Sequence, residues 1–144
     1  MGGHPRVLLI DDEEEFTEAL AERLELRGMT VETATNGQAA LEKIAQHEYD
    51  AVLLDLAMPG WDGIETLKRL KQARPSIQVV ILSGRATVHK GVEAMKAGAM
   101  DLVEKPAKFQ ELISKIEDAS KRTVTLSEER LEHDIEDIIR KRGW

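Results

Sequence analysis

Short apolar runs alternate along this chain with segments whose apolar residues recur every three or four positions. The runs are typical of strands buried in a parallel sheet, and the segments between them have the period of amphipathic helices. The predicted strands cover residues 7–10, 30–34, 51–54, 79–82 and 102–103. The predicted helices have their apolar residues within 16–24, 41–45, 64–70, 88–95 and 109–116.

Glycine and proline mark where these elements end. Gly28 and Gly98 follow the first and fourth predicted helices, and Pro75 interrupts the third. Asn36-Gly37 usually indicates a β-hairpin, but helical spacing follows it, so we interpret it as a turn from a strand into a helix. Every predicted strand is therefore followed by a helix.

Five βα units account for the chain to about Lys121 and predict one α/β domain. A (β/α)8 barrel needs eight units, so an open, doubly wound five-stranded parallel sheet with helices on both faces is favoured. Right-handed crossovers place the carboxyl ends of all five strands along one edge, where ligands bind in such sheets. The residues that follow the strands are therefore the candidates for chemistry.

Polar residues of several kinds occupy those positions. Asp11 and Asp12 follow the first strand, Asp55 ends the third, Ser83 follows the fourth and Lys105 follows the fifth. Taken alone, each has a simpler explanation, because aspartate caps turns, serine caps helices and a lysine before a turn is often only solvated. Their convergence at one edge of the sheet instead predicts a functional site.

The chemistry of these groups fits one task. Clustered carboxylates repel one another, and a small hard cation such as Mg2+ relieves that repulsion. A carboxylate can attack a phosphoryl group to form an aspartyl phosphate, and Asp55 is the predicted nucleophile. Lys105 and Ser83 would bind phosphoryl oxygens through an ammonium and a hydroxyl.

Composition narrows the function classes. The chain has 144 residues and a net charge of −7, which argues against nucleic acid or an anionic membrane as a direct partner. It has no cysteine, which excludes disulfides and thiolate chemistry. Neither a signal peptide nor a membrane-spanning stretch is evident, so we expect a soluble cytoplasmic protein.

Four motifs together resemble the signature of the CheY-like receiver domain of two-component response regulators. They occur in the family's order and near its spacing, over about residues 6–121. The motifs are Asp11-Asp12-Glu13, Asp55-Leu56-Ala57-Met58-Pro59-Gly60-Trp61-Asp62-Gly63, Ser83-Gly84 and Lys105-Pro106.

The resemblance implies a strand order of 2-1-3-4-5 and a role for each acid. Asp55 would be the phosphoacceptor. Asp12 and Asp55 would ligate Mg2+ directly, together with the backbone carbonyl of Ala57, and Asp11 would act mainly through a bound water.

The resemblance also implies a signalling function. A histidine kinase or phosphotransfer protein would supply the phosphoryl group, and Ser83 and Lys105 would sense it. A conformational change would then alter contact with a downstream protein. The bond between Lys105 and Pro106 is expected to be cis. The domain would promote its own phosphorylation and dephosphorylation rather than act as an enzyme on a separate substrate.

Two positions depart from the family's usual pattern. Leu102 stands where the family often has tyrosine or phenylalanine, and Ala107 stands where it often has phenylalanine. Leucine offers no ring that swings between exposed and buried positions. The aromatic part of the family's switch is therefore in doubt, whereas the phosphorylation chemistry is not.

Three other functions were weighed against this one. A haloacid-dehalogenase-type phosphatase also uses an aspartate nucleophile beside Mg2+, but that nucleophile follows the first strand in an Asp-x-Asp pattern that is missing here. A dinucleotide-binding domain would need a glycine-rich first turn, which is also missing. A receiver-like binding module that works without phosphorylation is the third, and the presence of all five site residues argues against it.

The residues after Lys121 are too few for a separate output domain. We expect residues 1–121 to form the receiver domain and residues 122–144 an amphipathic helical extension. Ser127 is the predicted N-cap of a sixth helix. The apolar residues of that helix, Leu131, Ile135, Ile138 and Ile139, form one stripe. That stripe could fold back on its own domain, dock a partner or pair with a second copy, and a homodimer is slightly favoured.

Overall fold

The computed structural model describes residues 4–58, 63–84 and 89–143. Strands and helices alternate along the chain. The strands are β1 (Arg6–Ile10), β2 (Thr30–Ala34), β3 (Ala51–Asp55), β4 (Val79–Ser83) and β5 (Asp101–Glu104). The helices are α1 (Glu14–Glu25), α2 (Gly37–Gln46), α3 (Gly63–Ala73), α4 (Gly91–Lys96) and α5 (Phe109–Lys141). The predicted fourth helix included Val88, which lies outside the described residues.

The five strands form one parallel sheet in the order β2-β1-β3-β4-β5. The predicted doubly wound fold and its strand order are confirmed. In register, Ile10 of β1 pairs with Leu54 of β3, and Asp55 pairs with Leu82 of β4. The chain reverses its direction of winding between β1 and β3, so the carboxyl ends of these two strands flank the switch point where such sheets bind ligands.

Side chains alternate between two apolar layers, because successive residues of a strand point to opposite faces. Leu8, Val52 and Ile81 pack beneath α2, α3 and α4. Leu9, Leu53 and Leu82 pack beneath α1 and the first half of α5. All residues of β3 and β4 are buried, which explains why their sequences are continuous apolar runs rather than alternating ones.

Local signals account for several boundaries. The side chain of Asn36 accepts a hydrogen bond from the amide of Ala39 at 2.8 Å, so Asn36 is the N-cap of α2, and the predicted strand-to-helix turn is confirmed. Gly28 and Gly98 have φ values of +87° and +104°. L residues rarely adopt such values, which suits glycine to the ends of α1 and α4.

The predicted helical structure of the C-terminal extension is confirmed, but the prediction that it forms a separate sixth helix is wrong. α5 runs without a break from Phe109 to Lys141, and Ser127 lies inside it rather than at an N-cap. No glycine or proline occurs between Lys121 and Gly143 to end the helix. The hydroxyl of Thr123 lies 3.1 Å from the carbonyl oxygen of Ala119, one turn earlier, and so fits within continuous helix.

The second half of α5 does not bury its apolar stripe. Leu131 is 60% exposed and Ile138 is 54% exposed, and Ile135 and Ile139 are also exposed. A fold-back onto the domain would cover these side chains, and the structure does not adopt it. Among the described residues, no helix is both long and apolar enough to cross a membrane.

A close backbone approach beneath the site gives a test of the fold. A Cβ atom at Gly63 would lie 2.3 Å from the Cα of Leu56. Because that neighbour is backbone, it cannot rotate away, and we expect Gly63→Ala to lower the free energy of unfolding by roughly 2 kcal/mol or more. Urea denaturation measures the change.

Gly91 provides the matched control, because it also begins a helix. There a Cβ would approach only the tip of the Leu102 side chain, at 2.9 Å from Cδ1. We expect Gly91→Ala to change stability by less than about 1 kcal/mol. Equal losses of stability in the two variants would show that the close approach to Leu56 does not determine the effect of the added Cβ atom.

Candidate functional site

The switch point of the sheet brings the five predicted residues to one edge. Asp55 and Ser83 are the last residues of β3 and β4, Asp11 and Asp12 directly follow β1, and Lys105 directly follows β5. Four of the five strands therefore contribute a side chain to this edge.

Asp55 lies deepest among the site residues with a carboxylate. Its side chain is 2% exposed. One oxygen, Oδ1, accepts a hydrogen bond from the amide of Ala57 at 2.9 Å, and Oδ2 lies 3.1 Å from Nζ of Lys105. A buried carboxylate needs such partners to stay charged, and these two hold its orientation at the end of β3.

Asp11 is also buried but less well satisfied. Its Oδ1 accepts a hydrogen bond from the amide of Glu13 at 2.9 Å, whereas its Oδ2 has no hydrogen-bond partner among the described residues. Burial raises the pKa of Asp11 to about 7, against the opposing effect of the Glu13 amide, and the negative charge of Asp55 adds to the rise. A buried carboxylate that has an unpaired oxygen and lies beside a second acid is stabilised by a nearby positive charge.

Three acids form a compact set of oxygen donors. One carboxylate oxygen each from Asp11, Asp12 and Asp55 lies within 4.8 Å of the others, and Asp12 is exposed at the mouth of the site. Small divalent cations with oxygen ligands prefer this kind of donor set and keep part of their water shell. The unpaired Oδ2 of Asp11 strengthens the fit, since a cation or its bound water would satisfy that oxygen.

Lys105 is the positive group of the site. Its Nζ lies 3.1 Å from Asp55 and 3.5 Å from Oε1 of Glu13. Partial burial works against the charged ammonium, but the hydrogen bond to Asp55 and the charges of Asp55, Asp11 and Glu13 outweigh it and raise the pKa of Lys105. The lysine therefore stays protonated beside the acids.

The ends of β4 and β5 are tied together at this point. The amide of Lys105 donates to the carbonyl of Ser83 at 2.8 Å, and the Ser83 side chain is buried beside it. The peptide bond between Lys105 and Pro106 is cis, as predicted.

Sequence reasoning did not assign a role to Glu13, which the structure places in contact with the Lys105 ammonium. The sequence feature that could have indicated a role for Glu13 is its position directly after two acids at the end of β1. Leu102 is half-buried and lies against the start of α4 at Gly91, so the residue in the family's aromatic position is part of the apolar packing. The segment from Pro59 to Asp62, part of the motif around Asp55, lies outside the described residues.

Comparison with known proteins agrees with this geometry. The sequence model of the response regulator receiver domain matches residues 7–117. The response regulator MprA of Mycobacterium ulcerans is 36% identical over 118 residues, which are 82% of this chain and 51% of that protein. The transcriptional regulatory protein ZraR of Klebsiella oxytoca is 42% identical over 106 residues, which are 74% of this chain and 24% of that protein.

A solved structure shows the same fold. The receiver domain of the Francisella response regulator 1452 superimposes with a TM-score of 0.76 at 32% identity, covering 83% of this chain and 99% of that domain. This chain spans about half the length of MprA and about a quarter of that of ZraR. With its family match over 7–117 and the acid cluster at the switch point, this chain belongs to the response regulator receiver domain family.

Proposed function

We propose that this protein accepts a phosphoryl group from a histidine kinase or a phosphotransfer protein onto Asp55. Phosphoryl acceptance is typical of the family. The observation that carries the assignment to Asp55 is its geometry. It is buried at the end of β3, with one oxygen held by the amide of Ala57 and the other beside Lys105.

The proposed transfer has a simple balance of bonds. A carboxylate oxygen of Asp55 forms a new bond to phosphorus, and the bond between phosphorus and the imidazole nitrogen of the donor histidine breaks. The imidazole leaves with the electron pair of that bond and takes up a proton. Water later attacks the acyl phosphate and releases inorganic phosphate. The protein is thus a phosphoacceptor that promotes both steps, rather than an enzyme with a separate substrate.

The acids of the site are proposed to hold Mg2+. Asp12 and Asp55 would ligate it directly with the backbone carbonyl of Ala57, and Asp11 would act through a bound water. When bound, Mg2+ neutralises charge on the acids and on the phosphoryl oxygens. Asp11 would orient that water with Oδ2, since Oδ1 already accepts from the Glu13 amide.

Lys105 and Ser83 are proposed to report the phosphorylated state. Phosphorylation adds negative charge beside Asp55, and the Lys105 ammonium is near enough to move from the carboxylate to a phosphoryl oxygen. The Ser83 hydroxyl would donate to another phosphoryl oxygen. Because β4 and β5 are joined at these residues, both movements shift the balance between two conformations of the loops that follow them. Leu102 would follow by repacking against α4 without an aromatic swing.

The remaining assignments concern the whole protein. We assign residues 1–121 to the receiver domain and 122–144 to a helical extension, and propose that the protein is cytoplasmic and signals to a downstream protein by contact. Neither nucleic acid nor membrane is proposed as a direct partner, given the net charge of −7. The exposed stripe of α5 is the surface we assign to a second copy of the chain.

Two alternatives differ in their expected behaviour. Membership of the receiver family removes the support for a haloacid-dehalogenase-type phosphatase. A receiver-like module that binds partners without phosphorylation would keep the fold but would not become labelled at Asp55.

The first test is direct labelling. We expect acetyl phosphate with Mg2+ to add one phosphoryl group to the parent protein and none to Asp55→Asn, because the amide cannot act as the nucleophile. Intact-mass spectrometry measures the addition. Asp50→Asn, at the opposite end of β3, is the control and should label like the parent. Equal labelling of Asp55→Asn, or no labelling of the parent, would contradict the proposal.

A second test concerns the metal. Mg2+ at ten times its dissociation constant should stabilise the parent by about 1.4 kcal/mol, because it binds only the folded acid cluster. Asp12→Asn should lose most of this gain and be at least as stable as the parent in metal-free buffer, since one like charge is gone. Denaturation with and without Mg2+ measures both effects.

The control for the metal test is Glu18→Gln, which removes one exposed charge from α1, away from the cluster. It should keep the full gain from Mg2+. If Asp12→Asn and Glu18→Gln respond alike, Asp12 is not a ligand.

A third test separates phosphorylation from switching. Lys105→Met removes the ammonium and keeps the stem, so Asp55 should still accept a phosphoryl group, though more slowly. The chemical-shift changes that phosphorylation causes in the amides of α4 (Gly91–Lys96) should disappear. Nitrogen-proton correlation spectra measure them. Lys108→Met, an exposed lysine nearby, should switch like the parent, and a normal response of Lys105→Met would exclude the lysine as the sensor.

A further inference from the structure

The second half of α5 carries an apolar stripe that its own domain does not cover. Val124, Leu131 and Ile138 are spaced seven residues apart, and Ile135 and Ile139 complete an arc of about 100° on the helix. All five side chains are exposed. A surface of this size on one helix is costly in water unless a second surface covers it.

The stripe overlaps only one edge of the face by which α5 packs on the sheet. Leu112, Ile116 and Ala119 face the apolar layer of the domain, and the hydroxyl of Thr123 lies 2.6 Å from the carbonyl of Asp50. At about 100° per residue, the centre of the stripe lies roughly 90° around the helix from the centre of that face, and buried Ile113 lies at the same angle as Leu131. The stripe is exposed because this part of α5 extends beyond the apolar layer of the domain.

Charge is distributed unevenly along the same segment. Between residues 128 and 137 there are six acids and one arginine, and residues 140–142 are Arg140, Lys141 and Arg142. Among the described residues of this segment, Asp137 contacts His133 and Arg140 of its own helix, and most of the other acids are left for other partners. The helix thus has an acidic middle and a basic end.

These observations decide between two orientations of a helix pair. In a parallel pair, each acidic middle faces another acidic middle and each basic end faces another basic end, which is repulsive throughout. In an antiparallel pair that crosses near Ile135, the basic end of each copy lies beside the acids around Glu128 to Glu132 of the other. The same stripe is buried in both orientations, so the charges favour the antiparallel one.

The length of the extension also fits an antiparallel pair. Residues 122–141 span roughly 30 Å at 1.5 Å per residue. With the crossing near Ile135, the basic end of one copy reaches about residue 128 of the other, just short of its domain. The two domains then lie at opposite ends of the pair and do not collide.

We propose that this protein forms an antiparallel homodimer through the second half of α5, with its apolar stripes in contact and its basic ends on the acids of the other copy. A second copy is favoured over a different protein because each helix carries both an acidic segment and a basic segment. These segments meet when two copies pair in opposite directions. Such a surface is complementary to itself under a two-fold axis. The inference extends the homodimer part of the proposed function and does not depend on phosphorylation.

A charge-exchange cycle tests the orientation on the full chain. The acid reversal is Glu128→Lys with Glu132→Lys, and the base reversal is Lys141→Glu with Arg142→Glu. In the antiparallel dimer each reversal alone creates repulsion at both ends and should weaken association roughly tenfold. The combination of both restores opposite charges and keeps the parent's net charge of −7, so association should return.

Sedimentation equilibrium measures association, and circular dichroism confirms that each variant keeps its helix. If association depended only on the net charge of the protein, the acid reversal would strengthen it, because this reversal lowers the net negative charge. In a parallel dimer, each reversal replaces one like-charge contact by another and changes little. A monomeric parent, reversals without effect, or a combination that stays weak would each overturn the proposal.

Distance measurement provides an independent test. The chain has no cysteine, so Thr125→Cys, at an exposed position, gives one site for a spin label. Labels in the antiparallel dimer should be roughly 30 Å apart, whereas a parallel pair would bring them to roughly 10–15 Å. The short distance would overturn the orientation. Labelling of Asp55 by acetyl phosphate should be the same in every variant, so loss of the dimer leaves the phosphoacceptor proposal standing.

Discussion

The negative charge of Asp55 at the buried end of β3 is the constraint on which the rest of the site depends. A carboxylate that is 2% exposed is costly unless other groups compensate it, and the structure supplies an amide from Ala57 and the ammonium of Lys105. The compensation is incomplete, since Asp11 and Asp12 add like charges and one buried oxygen of Asp11 has no partner among the described residues. The site therefore favours the binding of a cation.

This arrangement follows from the topology of the sheet. Parallel strands send their carboxyl ends to one edge, and the reversal of winding between β1 and β3 opens that edge where Asp11 and Asp55 meet. The layers above and below are built from aliphatic residues that hold β3 and β4 fully buried, so Asp55 has little freedom to move. The connection between Ser83 and Lys105, where a backbone hydrogen bond joins the ends of β4 and β5, is the part that we propose to move.

The extension of α5 belongs to the same structure but obeys a different constraint. Its first half is fixed by packing under the sheet and by the contact between Thr123 and Asp50, whereas its second half extends beyond the apolar layer and leaves its stripe exposed. The site end of the sheet and this contact lie at opposite ends of β3. The proposed phosphoryl chemistry and the proposed pairing of the extensions therefore use separate parts of one molecule.

The sequence by itself determined the elements, the class of fold and the five residues at the strand ends, because hydrophobic period and strand-terminal polar residues are local signals. It also indicated the strand-to-helix turn at Asn36-Gly37 and the stops at Gly28 and Gly98. The tertiary structure decided what depends on distant neighbours. It placed Glu13 against Lys105 and raised the pKa of Asp11 through burial. It also joined two predicted helices into one. Ser127 resembles an N-cap locally, but it lies within a helix that already extends from the domain, and no glycine or proline interrupts that helix. A capping residue can start a helix only where the preceding backbone has left helical geometry, and that is settled by packing rather than by the cap itself.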